Sequence, residues 1–257
     1  MKKILLLCVI LLISSCKEKS VFIEYSFKNN MYYIDTNLDK YKDYALLNDL
    51  DEDTIIREVN VGLYRDYYID SEESDINKDY LVLVNKYNFL KSDYEPIDLE
   101  EISDKFNKGN NNRLRKEARV NFESMCEDAS KDGINIYSSS AYRTYNSQVV
   151  IYDYNLRVKG KENADRVSAR PGYSEHQSGL CVDVNVISKD FANTLEYDWL
   201  VNNSYKYGFI LRYPKDKERL TGYSFEPWHY RFVGKDVAYK IKKLDITFDE
   251  YYAFYLS

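Results

Sequence analysis

The sequence predicts an α+β fold in which a small antiparallel sheet is flanked by helices. Apolar residues recur every three or four positions between 114 and 129, as in an amphipathic helix, and Gly133 follows as a stop signal. Two runs rich in aromatic and β-branched residues, 209–213 and 228–233, are typical of short strands. Because helices and strands do not alternate regularly, their order favours α+β over a parallel βαβ sheet.

The other elements of this fold follow from periodicity and stop signals. A strand is predicted at 134–138, and helices are predicted at 145–159 and 193–207, each ending before a glycine. Thr247 and Glu250 have the spacing of a capping box, which predicts a last helix.

Three regions are predicted along the chain: a signal peptide at 1–15, a small appendage with a linker at 16–79, and the main domain at 80–257. In the appendage, runs 21–27 and 54–68 are enriched in β-branched and aromatic residues, which predicts strands. The sequence indicates no function for this β-containing appendage.

The N-terminus has the pattern of a leader. Lys2 and Lys3 precede an apolar run of about ten residues, too short to span a bilayer, and the run ends in Ser-Ser-Cys16. This ending resembles a bacterial lipobox, in which the cysteine receives lipid. We therefore expect an extracytoplasmic protein anchored to the bacterial cell membrane through Cys16. The alternative is an ordinary secretory signal with a chance cysteine.

The composition is that of a globular protein, with 44% apolar and 30% charged residues among 257. A formal charge of −6 gives no basic surface for nucleic acid, so nucleic acid is excluded as an expected partner. With only two histidines in the chain, the position of each one is informative.

Cys126 and Cys181 are the cysteines of the main domain. They either form a disulfide in an oxidising compartment or are two small buried residues, on a helix face and in a strand. No C-x-x-C spacing indicates a cysteine metal site.

Both histidines lie in apolar surroundings close to a carboxylate. His176 precedes Asp183, which sits inside an apolar strand pattern, and His229 follows 46 residues later. A buried carboxylate must be paired or bind a cation, and two imidazoles with one carboxylate suit zinc with an open coordination position. Glu226, where loop turns into strand, is placed to act as a general base. The alternative is a pair of satisfied core histidines and a loop-capping aspartate.

Two motifs, Ser-x-His-x-x-Gly-x-x-x-Asp at 174–183 and Glu-Pro-Trp-His-Tyr-Arg at 226–231, resemble those of the VanY-like zinc D-alanyl-D-alanine carboxypeptidases. This family is related to lysostaphin-type peptidases and the hedgehog domain. Segments 140–148, 168–173 and 207–214 also resemble family motifs in the right order. The resemblance covers roughly residues 80–257.

The resemblance implies zinc as cofactor, with His176, Asp183 and His229 as ligands and Glu226 as catalytic base. It implies a peptidoglycan stem peptide ending in D-alanine as substrate.

The resemblance also implies that Arg143 holds the substrate carboxylate or the developing oxyanion, and that Gln148 and Ser174 help to bind the terminal carboxylate. Cys181 departs from the family, which often has alanine there. Arg231 is expected on the strand face opposite His229, in a structural role.

Three functions remain open. The first is a D,D-carboxypeptidase, and the second an L,D-carboxypeptidase that acts on tetrapeptide stems. The third is a non-catalytic zinc-containing wall-binding lipoprotein. The presence of Glu226 argues against the third, since a binding module needs no base.

Overall fold

The computed structural model describes residues 27–109 and 112–257, and packing separates them into two units. One unit comprises the described residues up to Asp66 together with Ala253–Ser257, and the other is Tyr67–Tyr252. The predicted signal peptide and Cys16 lie outside the described residues. The domain boundary at 79/80 stays a prediction. Nowhere in the described ranges is a helix both long and apolar enough to cross a bilayer.

The described part of the smaller unit is helical, with α1 at Leu38–Leu47 and α2 at Glu52–Asn60. The strand predicted at 54–68 is therefore wrong, because residues 54–60 are helical and residues 61–68 contain no strand. The predicted strand at 21–27 falls, except for Phe27, outside the described residues.

The physical reason is the spacing of apolar residues in α2. Ile55, Ile56 and Val59 recur at helical intervals and are buried, although β-branched side chains are common in strands. Asp51 caps the helix, since its carboxylate accepts a hydrogen bond from the Thr54 amide at 3.0 Å.

The larger unit mixes helices with small sheets. Its strands are β1 (Glu72–Glu73), β2 (Asn88–Phe89), β3 (Leu99–Glu101), β4 (Arg113–Arg115), β5 (Ser138–Ser140), β6 (Cys181–Val184), β7 (Phe209–Leu211) and β8 (His229–Phe232). The helices from residue 116 onward are α3 (Lys116–Lys131), α4 (Tyr145–Val167), α5 (Leu195–Asn203), α6 (Glu218–Thr221), α7 (Lys235–Leu244) and α8 (Phe248–Tyr255).

An antiparallel sheet with the order β5-β6-β8-β7 forms the centre of this unit. Its register places Asp183 opposite His229 and Cys181 opposite Arg231. Two pairs of short strands, parallel β1-β2 and antiparallel β3-β4, lie outside this sheet. The predicted α+β fold with a small antiparallel sheet and flanking helices is confirmed.

The core forms where α3 packs with one face of this sheet. The face of α3 predicted from periodicity is buried, including Phe122 and Met125, and it shares a cluster with Leu180, Val182 and Val184. Leu180, Val182 and Val184 alternate with Cys181 and Asp183 along the chain, so the three apolar side chains share the face that packs in the core. Burial of such side chains contributes about 1.5–3 kcal/mol each to folding.

Several predicted boundaries are confirmed. Backbone at Gly160 is non-helical within α4, with φ 74°, and Gly208 follows the 3-10 turn after α5, with φ 82°. Thr247 and Glu250 form the capping box, in which each backbone amide donates to the other side chain at 2.7 and 3.2 Å. The strand predicted at 134–138 is shifted, because pairing with β6 starts only at Ser138.

Both cysteines of the main domain are buried free thiols. Of the two alternatives, the structure therefore matches the buried pair without a disulfide.

Candidate active site

Three elements bring the predicted metal ligands together. His176 lies in the 3-10 turn Glu175–Ser178, Asp183 on β6, and His229 directly opposite it on β8. The turn ends at Gly179, with φ 67°, where a β-carbon would lie 2.7 Å from Leu99. The left-handed backbone favours glycine here, and a larger residue would also require the Leu99 side chain to move.

The donor atoms of these three residues have the spacing of a metal site. His176 Nε2 lies 3.3 Å from Asp183 Oδ2, and His229 Nδ1 lies 3.0 Å from Asp183 Oδ1. Ligands bound tetrahedrally to zinc at 2.0–2.1 Å are roughly 3.3 Å apart. The three donors are buried and lie within 4.8 Å of one another, so the residues fit zinc.

Electrostatics favour a charged carboxylate at this point. Burial would raise the pKa of Asp183, but His176 and His229 hold it well below its usual range. The anionic Asp183 and two imidazoles therefore form a donor set suited to a divalent cation.

His176 is oriented by the segment predicted to bind substrate. Its Nδ1 donates to the Ala141 carbonyl at 2.6 Å, and the Arg143 amide donates to the His176 carbonyl at 3.1 Å. Because Nδ1 carries this proton, Nε2 is the nitrogen that faces Asp183 and is free to bind a metal.

Glu226 lies in the turn that leads into β8. Its amide donates to the Tyr213 carbonyl, its carbonyl accepts from the His229 amide, and its Oε2 lies 3.8 Å from His229 Nδ1. The side chain is 15% exposed, and burial raises its pKa to about 7. A carboxyl group with this pKa can both accept and return a proton near neutral pH.

Arg143 projects into the same space. One guanidinium nitrogen donates to Gln148 Oε1 at 2.9 Å, and the other donates to Ser140 Oγ at 3.0 Å and lies 3.9 Å from Asp183. Gln148 in turn donates to the Ala169 carbonyl at 2.7 Å. Gln148 therefore holds Arg143 in place, and its predicted contact with substrate stays a prediction.

A cavity of about 200 Å³ joins these groups. Its lining includes every site residue predicted within the described part of the chain, together with Tyr213, Tyr223 and Trp228; the predicted residues are Arg143, Gln148, Ser174, His176, Asp183, Glu226 and His229. The predicted ligands, base and substrate-binding residues thus share one cavity.

A buried ionic network behind His229 was not predicted from the sequence. Glu175 Oε1 accepts from Arg212 Nε and Arg231 Nη1, both at 2.9 Å, and Arg212 also donates to Asp249. The expectation that Arg231 points away from His229 is wrong, because residues two apart in a strand share a face. That period was the signal that could have placed Arg231 on the same side as His229.

Cys181 also lies on this side of His229. Within the described residues, Glu175, Cys181 and His229 form a second group of donors within 4.8 Å of one another. Burial raises the pKa of the Cys181 thiol. The Cys181 thiol therefore belongs to the donor group that contains Glu175. The predicted ligands His176 and Asp183 belong to the other donor group, and His229 is common to both.

Comparison with known proteins identifies the family. Residues 111–235 match the family model of VanY, described as D-alanyl-D-alanine carboxypeptidase. The putative carboxypeptidase YodJ of Bacillus subtilis (strain 168) is 41% identical over 181 residues, which cover 67% of this chain and 66% of YodJ. The chain thus matches just under two thirds of the length of that relative.

Two solved structures are similar over most of their length. The LdcB LD-carboxypeptidase has 39% sequence identity and a TM-score of 0.66, with 72% of this chain and 90% of that chain covered. The vancomycin-resistance D,D-pentapeptidase VanY of a VanB-type cassette, in complex with Zn(II), has 37% identity and a TM-score of 0.58, with 67% and 98% covered. The chain therefore belongs to the VanY family of D-alanyl-D-alanine carboxypeptidases.

Proposed function

We propose that this protein removes the C-terminal D-alanine from peptidoglycan stem peptides, as a zinc D,D-carboxypeptidase. The observation that carries the proposal is the meeting of a His-Asp-His donor set, a carboxyl group with a pKa of about 7 and an arginine in one cavity. A metal, a base and a carboxylate receptor are the parts that hydrolysis at a free C-terminus requires.

His176, Asp183 and His229 would hold the zinc ion through Nε2, a carboxylate oxygen and Nδ1. Zinc, when bound, supplies Lewis-acid polarisation of the scissile carbonyl and makes a water molecule more acidic. The protein's own contribution is a fixed donor set, because each ligand is buried on a turn or strand of the sheet.

Glu226 acts as the base in this proposal. Its carboxylate accepts a proton from the attacking water and donates it to the amine of the departing D-alanine. The support for this assignment is its pKa of about 7 and its position 3.8 Å from His229 and on the wall of the same cavity.

Arg143 provides a planar cation 3.9 Å from Asp183, and it binds either the terminal carboxylate or the oxyanion that forms on the carbonyl. Its geometry is set by Gln148 and Ser140, each within 3.0 Å of the guanidinium. Ser174 lines the same cavity and is proposed to contact the terminal carboxylate.

An L,D-carboxypeptidase is the second candidate, and the similarity to LdcB favours it. It has the same metal site and differs in the residue that precedes the scissile bond. The two functions predict different products from different stems, so one experiment separates them.

The test is digestion of purified muropeptides by the protein, followed by mass spectrometry, with and without a chelator. We expect pentapeptide stems to lose one D-alanine in a chelator-sensitive reaction, and tetrapeptide stems to remain. Loss of D-alanine from the tetrapeptide alone would assign the L,D reaction. Turnover that survives complete zinc removal would contradict both.

A wall substrate places the site on the outer side of the cytoplasmic membrane, and a lipid on Cys16 would keep it there. The support is the resemblance of the leader to a lipobox. Replacement of Cys16 by serine should release the protein from the membrane fraction, with the ligand variant His176→Ala as the control that stays there.

A further inference from the structure

The two oxygens of the Glu175 carboxylate have different surroundings. Oε1 accepts hydrogen bonds from Arg212 and Arg231, both at 2.9 Å. Arg212 is itself held by Asp249 at 2.5 and 3.2 Å, and Asn85 donates to Asp249 at 2.9 Å. These charged groups are buried, with two cations and two anions, so the network is neutral and fixed in position.

Oε2 of Glu175 has no hydrogen-bond partner within 3.5 Å among the described residues. The nearest ring nitrogen is His229 Nε2, at 3.7 Å, and this atom is likewise buried without a partner there. Leaving buried polar atoms unsatisfied costs about 1–3 kcal/mol each, so two that face each other need an explanation.

The other nitrogen of the same ring is directed to the metal centre. His229 Nδ1 lies 3.0 Å from Asp183 and 3.8 Å from Glu226. An imidazole that binds a metal through one nitrogen carries its proton on the other, and that N–H needs an acceptor. For His176 the acceptor is the Ala141 carbonyl, at 2.6 Å.

We propose that Glu175 is the positioning residue of the metal centre: its Oε2 accepts the Nε2–H of His229 and so presents Nδ1 to the metal. The proposal rests on the ligand set given under Proposed function. Arg212 and Arg231 anchor the carboxylate from behind, and the Tyr213 ring, 4.9 Å from that of His229, packs beside it.

One other group near this ring is a weaker acceptor. The Cys181 thiol belongs to the same donor cluster, but sulfur accepts hydrogen bonds poorly. The Glu175 carboxylate faces the guanidinium groups of both Arg212 and Arg231, so it is the stronger acceptor beside this ring.

A distinctive consequence is that the two ligand histidines have opposite tautomers. His176 would be protonated at Nδ1 and bind through Nε2, whereas His229 would be protonated at Nε2 and bind through Nδ1. Because the chain contains two histidines, nitrogen-15 labelling of histidine gives a spectrum with two rings. Long-range proton–nitrogen correlation of the zinc-loaded protein reads the tautomer of each ring directly.

We expect one ring protonated at each type of nitrogen, with His229 assigned by loss of its signals in His229→Gln. If both rings are protonated at Nδ1, the proposal is overturned. If wild-type protein binds no zinc, or binds it without shifting either ring, the ligand set itself fails, which is a separate result.

Substitution provides the functional test. Glu175→Gln should weaken zinc binding about 10–100-fold, the usual range for a partner of a metal-bound histidine. Asp249→Asn is the matched control, because it removes one carboxylate from the same buried network without touching His229. It should leave zinc affinity and the His229 Nε2–H resonance near wild type.

Equal zinc affinity in the two variants would reduce Glu175 to a structural role and overturn the proposal. Should Glu175→Gln fail to fold, Glu175→Asp keeps the charge for both arginines and withdraws the acceptor from His229. It is expected to weaken zinc binding, and the tautomer measurement on the wild-type protein stands independently of either variant.

Discussion

The two sides of His229 differ in how their charges are arranged. On the cavity side, Arg143 and Glu226 have exposed side-chain surface of 19% and 15%, and Arg143 lies 3.9 Å from the nearest acid, Asp183. On the buried side, Glu175, Arg212 and Asp249 are joined by direct hydrogen bonds and are almost fully buried. The charges proposed to act on a substrate have no close ion-pair partner among the described residues, whereas the charges of the buried network neutralise one another.

This difference predicts that substitutions on the cavity side reduce activity and leave the fold intact, whereas those on the buried side reduce stability. His229 belongs to both sides, so changing it should have the largest effect. The other substitutions separate the two contributions.

His229→Ala should lose zinc after dialysis, and its activity should fall to the level of chelator-treated wild type. The reason is that one of three proposed ligands is removed. Metal content by atomic absorption together with the peptide assay measures both. Wild-type zinc content in the dialysed variant would contradict the ligand set.

Glu226→Gln should keep one zinc ion and lose about 10²–10⁴ in kcat, the usual contribution of a general base. Its thermal midpoint should match wild type, because its carboxylate belongs to the cavity side. The control is Glu218→Gln, which makes the same substitution at a surface ion pair with Arg166. Full turnover by Glu226→Gln would remove Glu226 from the mechanism.

The cavity side was also the part that the sequence predicted best. His176, Asp183, Glu226 and His229 occur in two motifs at recognisable spacing, and they converge because β6 and β8 are neighbours in register. The alternation along β6 and the amphipathic face of α3 were equally readable, since a period of two or of 3.6 is a local property.

The buried side could not be predicted in the same way. Glu175 is 37 residues from Arg212 and 56 from Arg231, and no local pattern indicates that an arginine on a strand is buried. Local composition also misled at α2, where Ile55, Ile56 and Val59 have strand-like chemistry but helical spacing. Pairing over such distances is decided by tertiary packing.

Arg231→Met should destabilise the fold by about 3–5 kcal/mol, because it leaves Glu175 buried with one cationic partner fewer. Arg119→Met is the surface control, since Arg119 pairs with two carboxylates, Glu100 and Glu123, in a more exposed position. It should cost less than about 1 kcal/mol. Urea unfolding of both variants makes the comparison, and equal losses would contradict the distinction between the two sides.

Lys86 offers a further test, because it is a buried cation whose ammonium group packs against aromatic rings. Its ammonium lies 4.6 Å from the Tyr67 ring centre and 4.8 Å from that of Tyr223, which lines the cavity. Burial lowers its pKa from 10.5 to about 8. Between these two values the unfolded chain holds the proton that the folded chain has released, so stability rises with pH there.

Lys86→Met should therefore be more stable than wild type below pH 8, with an advantage that shrinks by about 3 kcal/mol as the pH approaches 10.5. Cation–π contacts with the tyrosines reduce the advantage itself but not the direction of its change. Urea unfolding at pH 7 and pH 10 measures it, with exposed Lys240→Met as the variant whose difference from wild type stays constant. A constant difference for Lys86→Met would mean that Lys86 is solvated like a surface lysine, and it would contradict the lowered pKa.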